Sequence, residues 1–350
     1  MTITRPPPHS GGYHTIQDTE VTTRIEHETL LVTLVTLVSR IPVPPPPATR
    51  GRGRPRTYPD HLLLQAVVML SVRHLHTVHA LLSVLAPPTA ERHTLHGLLT
   101  VDGRFPARRT WERRRQAIPA TLPAPIGCLG RVLVALLQPW ARGGRATALD
   151  STVLRAHGGI WHKQDRDAGL VPHRAIDPAA HGTKSGGHGW VDGGKRPVVT
   201  TVAAVWIPLA AELTPAHVAD HVPALSWRRE WPAEGRYVLG DQHDNDPASD
   251  AAWAGAGWTG VATRRGPYPQ TDAAVEGRRI VHELHSRAIE HLNEPVKGIF
   301  DAHGQVPTKG RVNTRRFALG AVFVDQLSLW YRHEHGLDLR VGLKPLLKAA

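Results

Sequence analysis

Apolar positions recur along the chain with two different periods, and the change from one to the other divides it. Leu63, Ala66, Val67 and Leu70 fall at i, i+3, i+4 and i+7, one face of a helix. Similar spacing predicts helices over roughly 74–85, 89–100, 107–118 and 126–139. Pro59 suits a first helical turn, and APP (86–88), the turn at 101–106 and ATLPAP (120–125) separate the pieces. A small helical domain is therefore expected over 57–140. An apolar-periodic piece at 24–41 predicts one further short helix. VPPPPATRGRGRPR (43–56), polyproline followed by a basic run, reads as a linker that closes the 24–56 unit. Residues 1–23 are polar and rich in Pro and Gly, and disorder is expected there.

From about 146 the pattern alternates. ATALDST (146–152), the Val- and Thr-rich stretch 196–213, RYVLG (236–240) and TGVATR (259–264) predict strands. TPAHVADHVPAL (214–225), 247–256, 274–300 and 312–333 predict helices, while 153–194 shows little periodicity. This order makes residues 145–335 an α/β domain, with 336–350 as a tail.

The 350 residues allow one large domain or two ordinary ones. The net charge is +12 and the pI about 10.5. Only seven of the 42 basic residues are Lys, so Arg dominates. Arg forks onto phosphate in a bidentate way, and such a chain suits a polyanionic partner, DNA or RNA. Compositional drift in a GC-rich genome produces the same balance. The single cysteine, Cys128, excludes an internal disulfide and a Cys-based zinc site, and suits a reducing cytoplasm. MTITRPPPHSGGYH lacks the apolar core of a signal peptide, and TLLVTLVTLV (29–38) is too short to span a bilayer. A soluble, cytoplasmic protein is expected.

Three acidic residues stand out by position. Asp150 sits within the first strand of the α/β part, Asp241 directly follows RYVLG, and Glu290 lies in the long helix after the last strand. Carboxylates at strand ends and on a facing helix can converge beyond the carboxyl ends of an open α/β sheet. Mg²⁺ takes such hard oxygen ligands, and two ions about 3.5–4 Å apart can hold the attacking and leaving oxygens of a phosphodiester. An Asp after a strand is also an ordinary helix cap. Arg287, Glu290, Glu294 and Lys297 share one helical face by spacing. That face fits a metal carboxylate beside phosphate-binding cations, or equally a solvated salt-bridged surface.

ALDSTVLRAHGGIWHK (148–163), HGTKSGGHGWVDGGKRPVVTTVAAVWIPLAAELTPAHVAD (181–220), VLGDQHDNDP (238–247) and IEHLNEPVKGIFD (289–301) together resemble the DDE transposases of bacterial insertion sequences, of the insertion-sequence-4 and -5 type. The resemblance covers about 145–335, and the helical part is similar to the N-terminal region of such transposases. It implies a ribonuclease-H-like mixed sheet flanked by helices, preceded by the small all-α domain. It also implies that Asp150, Asp241 and Glu290 are catalytic and hold two Mg²⁺ ions, for which Mn²⁺ can substitute. Lys297 would position the terminal phosphate, with Arg287 nearby. The implied reaction is cleavage at the element end, followed by attack of the released 3′-hydroxyl on target DNA. The partners are then the element ends and target DNA, and a homodimer on DNA is implied because two ends are processed together. Asp244, Glu283 and Ser286 depart from the family pattern, and Pro295 is expected to kink the helix and swing Lys297 away from Glu290. A metal-dependent nuclease of the same fold and a DNA-binding relic without cleavage remain alternatives.

Further DNA contacts are expected outside the acidic site. Arg52, Arg54 and Arg56 resemble an AT-hook core suited to a narrow minor groove, or form a merely basic tether. In PARRTWERRRQ (106–116), Arg108, Trp111 and Arg115 share one helical face, which would lie on DNA or pack Trp111 inward. Lys184, Lys195, Arg264 and Arg265 are expected in loops at the sheet end. His74, His76 and His79 cluster without an evident matching ligand pair for zinc.

Overall fold

The computed structural model describes residues 29–42, 57–139, 145–159, 163–171, 177, 179–185, 189–227, 231, 236–241, 247–262, 271–300 and 304–348. The expectations for 1–23, for the linker 43–56 with Arg52, Arg54 and Arg56, and for Asp244, Arg264 and Arg265 lie outside the described residues.

Six helices come first: α1 (Leu30–Val38), α2 (Asp60–Val72), α3 (Val78–Leu85), α4 (Ala90–Leu98), α5 (Arg108–Thr121) and α6 (Pro123–Leu137). Thr29, Thr77 and Thr89 cap α1, α3 and α4, each hydroxyl accepting from a backbone N–H three residues on, which satisfies a donor the helix cannot. Helices α1 and α2 are buried on almost every side, as core helices are. Buried Gln65 Nε2 donates to Val35 O at 3.3 Å and ties the two together. No single helix among the described residues is long and apolar enough to cross a membrane.

The α/β part contains β1 (Ala146–Arg155), α7 (Lys163–Asp167), β2 (His181–Ser185), β3 (Gly189–Val202), β4 (Pro208–Ala211), β5 (Thr214–Pro215), α8 (His221–Trp227), β6 (Tyr237–Gly240), α9 (Pro247–Ala254), β7 (Thr259–Ala262), α10 (Asp272–Ile299), α11 (Arg311–Glu334) and α12 (Leu343–Lys348). The strand order is β2-β3-β1-β6-β7, with β4 and β5 also on β3. Strand β1 runs antiparallel to β3 and parallel to β6, which runs parallel to β7. This mixed sheet, flanked by helices, has the ribonuclease-H-like order.

The structure adds elements that periodicity missed. The region 153–194 supplies the end of β1, all of β2 and the first half of β3. Its glycines hid the strands, yet close approach requires one of them: a Cβ on Gly193 would lie 2.0 Å from Leu154 O. The stretch 214–225 starts as β5, and its helix begins only at His221. The tail carries α12, with Leu343 buried.

One core joins the N-terminal helices to the sheet. Helix α11 contacts α1, α2, α5, α6, β4 and α12, and α6 packs on β4. That packing is close: a Cβ on Gly130 of α6 would meet Pro208 O at 2.7 Å. Buried Gln326 of α11 donates Nε2 to both Ile126 O (2.8 Å) and Pro208 O (2.7 Å) at the same junction. At the other end Arg40 forms a two-pronged ion pair with Glu334 and lies over Trp330.

Candidate active site at the carboxyl ends of β1 and β6

Register brings the first two acidic residues side by side. Strands β1 and β6 pair Ala146 with Tyr237 and Ala148 with Leu239. Two residues further along each chain come Asp150 and Asp241. Side chains alternate across a strand, so Asp150 projects to the side on which Ala146, Ala148 and Leu239 pack against Ala288 and Ile289 of α10, and Asp241 is near enough for its charge to act on it. Asp241 follows the last residue of β6 and is freed from the ladder there.

Asp150 is the perturbed group. Its carboxyl is pushed up to about 6, first by desolvation and then by the negative charges of Asp220 and Asp241, against the opposing influence of His285 and of the Ser151 backbone N–H. Asp220 is held on the opposite face of β1. Its carboxylate accepts from Ser151 Oγ at 2.8 Å and from Lys195 Nζ at 3.2 Å. Both donors are odd-numbered strand residues, and so project away from Asp150. Lys195, expected as a loop cation, is thus a residue of β3 engaged in a partly buried ion pair. Its neighbour Arg196 projects to the α10 side, is 2 % exposed and donates from Nη2 to Asn293 Oδ1 at 2.8 Å.

Helix α10 turns a particular face to the sheet. Ala288, Ile289, Leu292 and Asn293 are buried there, and His285 Nε2 lies 2.9 Å from Leu149 O. Glu290 is exposed; five residues on from His285, it is turned about 140° around the helix. The structure thus sets Asp150 within electrostatic reach of Asp241 and of His285, and leaves Glu290 off the sheet-facing side. Arg287 shares the outer side, with its side chain 67 % exposed and bonded to Glu283 at 2.6 Å. The surface expected to carry metal and phosphate ligands is, at Arg287, a salt-bridged exterior. Lys297 lies further along, partly buried. The helix runs on through position 295 to Ile299.

The other expected DNA contacts divide. Arg108 is exposed and pairs with Glu112 at 2.7 Å, and Lys184 is exposed on β2 rather than in a loop. Arg115 points inward instead. Its Nη1 donates to His76 O at 3.0 Å and its Nη2 to Asn313 Oδ1 at 2.8 Å. The reason is Trp111, 2 % exposed, which turns its side of α5 to the core and carries Arg115, one turn on, inward, while Arg108 stays outside.

For a divalent cation, the chemistry of the donors at Asp150 and Asp241 fits. Asp150 and Asp241 offer hard oxygen donors near each other, and burial pushes Asp150 up to about 6, which a bound cation would offset. Among the described residues, no three His, Cys, Asp or Glu side chains converge as a ligand group, which applies to Glu290 and to the histidines at 74–79 alike. Sequence reasoning missed His285, although it continues the buried stripe of Ala288, Ile289 and Leu292 by one turn. It also missed Asp220, for which no local signal exists.

No protein-family model and no curated protein sequence matches the chain. Among solved structures, the chain is similar to a piggyBac transposase determined by cryo-electron microscopy as a synaptic complex with hairpin DNA. The TM-score is 0.37 and the identity 9 %, over 91 % of this chain and 76 % of that one.

Proposed function

We propose that the chain is a DNA transposase of the DDE kind, which cleaves the ends of an insertion sequence and joins them to target DNA. The observation that supports this best is the placement of Asp150, in β1, and Asp241, directly after β6, each two positions beyond the paired residues Ala148 and Leu239 of neighbouring parallel strands in a ribonuclease-H-like sheet, with the charge of Asp241 acting on Asp150. Each stands in the sequence context that resembles the insertion-sequence family, ALDST and VLGD.

In this reading Asp150 and Asp241 would hold two Mg²⁺ ions, which supply the Lewis acidity needed at the scissile phosphate. Asp150 contributes a carboxylate whose ionised form is destabilised until a positive charge meets it, so it favours the bound state. His285 fixes α10 over the strand behind it, and the pairing of Asp220 with Lys195 fixes the far side of β1. These contacts limit reorganisation at the site. The basic surface, including Arg108 and Lys184, attracts the DNA backbone, and a homodimer would process two ends together.

The test is Mg²⁺-dependent cleavage of a duplex carrying the DNA that flanks this gene, comparing the wild type with Asp150→Ala. Cleavage that disappears in the variant supports the reading. Cleavage that persists overturns it. A second reading, binding to element DNA without cleavage, is favoured by the exposure of Glu290 away from the two aspartates. It predicts salt-sensitive binding by both proteins and cleavage by neither.

A further inference from the structure

Arg316 of α11 is only 4 % exposed. Its Nη2 donates to His76 O at 3.3 Å, and its Nη1 is buried without a hydrogen-bond partner. Arg115 donates to the same carbonyl oxygen. Two guanidinium groups therefore converge on one neutral acceptor. Arg316 is held down to about 10, first by desolvation and then by the charge of Arg115, and no carboxylate opposes either effect. Glu112 partly compensates Arg115 alone. A buried charge is ordinarily paired, and here a negative partner is wanting on the Arg316 side.

The space beside Arg316 has a definite shape. A cavity of about 10 Å³ opens there, bordered by Ser71, His74, His76, Phe300 and Phe317. That is room for one water-sized atom. His74 is exposed at its rim with φ +52°, in the loop joining α2 to α3. The geometry is that of a socket for a single oxygen, with a guanidinium at the floor and an imidazole at the mouth.

We propose that this socket receives one anionic oxygen of a phosphate group, held by Arg316 Nη1, and that the phosphate is one of a DNA backbone crossing the α2–α3 loop. The oxyanion chemistry stands by itself; the DNA source rests on the function proposed above. The site lies where the α2–α3 loop meets α11 and its lining includes neither Asp150 nor Asp241, so it would anchor DNA without taking part in cleavage.

The experiment uses the full chain. Thermal unfolding is followed in sodium phosphate and in sodium chloride of equal ionic strength. Phosphate is expected to raise the wild-type Tm by about 1–2 °C relative to chloride, the shift that roughly 1 kcal/mol of binding gives a chain of 350 residues. The shift should vanish in Arg316→Gln. Should that variant fail to fold, His74→Asp serves instead, since Asp tolerates positive φ and sets a negative charge at the exposed rim. Equal stability in both salts, or an undiminished shift in the folded variants, overturns the socket. Binding to random duplex DNA is then measured against salt. The slope of log K on log salt should fall by about 1 in the variant if a backbone phosphate occupies the socket. A phosphate-dependent Tm shift with an unchanged slope keeps the socket and overturns its assignment to DNA in favour of free phosphate. Wild-type protein that shows the shift but binds no DNA overturns the proposed function and leaves the socket standing.

Discussion

His285 on α10 meets the backbone oxygen of Leu149, one residue before Asp150, at 2.9 Å. A carbonyl only accepts, so Nε2 carries the proton in this bond. The contact sets the rotation of α10 about its axis. With His285, Ala288, Ile289 and Leu292 turned to the sheet, Glu290 is turned out.

Removing that contact should loosen the helix. His285→Ala is expected to lower stability by about 1 kcal/mol, the usual worth of a hydrogen bond of this kind. His285→Gln, which can still donate, should recover much of the loss. Urea unfolding of the three proteins measures both effects, and an Ala variant as stable as the wild type would deny the bond its role.

The same rotation ranks the acidic residues. In the reaction proposed above, Asp150→Asn and Asp241→Asn should each lower the cleavage rate by about 100-fold or more, the effect that loss of a proposed metal ligand would have. Glu290→Gln should change it by less than about tenfold. A Glu290→Gln loss as deep as that of Asp241→Asn would mean that α10 turns when DNA binds.

Much of this arrangement could be read from the chain. Alternation around ALDST and RYVLG located both strands, and the family-like contexts singled out Asp150 and Asp241. Spacing alone set Arg287, Glu290, Glu294 and Lys297 on one face, correctly by helical geometry. It could not say which face the sheet would take. That choice follows from Ala288, Ile289 and Leu292, whose burial outweighs any preference of the charged residues. Arg115 and Lys195 take internal partners for a related reason. A cation next to a buried aromatic, or inside a strand, finds an internal partner supplied by a distant segment: Asn313 for one, Asp220 for the other. The strands of 153–194 were obscured because their pairing depends on glycines that allow close approach, not on alternation.

Asn293 should matter more than its small size suggests. It accepts the hydrogen bond from fully buried Arg196 at 2.8 Å, while Arg196 Nε has no partner. Asn293→Leu leaves that charge less satisfied and should cost about 2–3 kcal/mol. Chemical denaturation is the check, and a neutral substitution would show that Arg196 relies on Asp325 alone.

Gly130 should be intolerant of even one methyl group. Gly130→Ala directs a Cβ at Pro208 O, so α6 must lift from β4 and strain the two bonds from Gln326. An overpacked junction of this kind costs about 1–3 kcal/mol. A Tm equal to that of the wild type would contradict the close approach.

The pH dependence of stability has a definite sign. Asp325, on α11, is pushed up from 3.8 to about 6, first by desolvation and against the attraction of Arg332 and Arg196. Between those two values the folded state binds more protons than the unfolded one, so stability falls as pH rises. The contribution is fully present below about 4 and lost above about 6, and for a shift of this size is on the order of 3 kcal/mol. Without added metal, Asp150 acts in the same direction. Urea midpoints measured from pH 4 to 7 should therefore show a falling component that Asp325→Asn reduces. A slope unchanged by that substitution would contradict the shift.

The dependence of the N-terminal helices on α11 has a consequence for how the chain is made. Leu31, Leu34 and Val38 of α1 leave the ribosome long before Arg311, yet α11 contacts α1 and α2 within one shared core. At synthesis rates of about 5–20 residues per second, α1 waits roughly 15–60 seconds for this neighbour. During that interval its apolar surface needs protection by a chaperone or by provisional contacts. A product cut short before α11 could not complete this core and would be a natural target for degradation, so closure of the core is tied to completion of the message that encodes it.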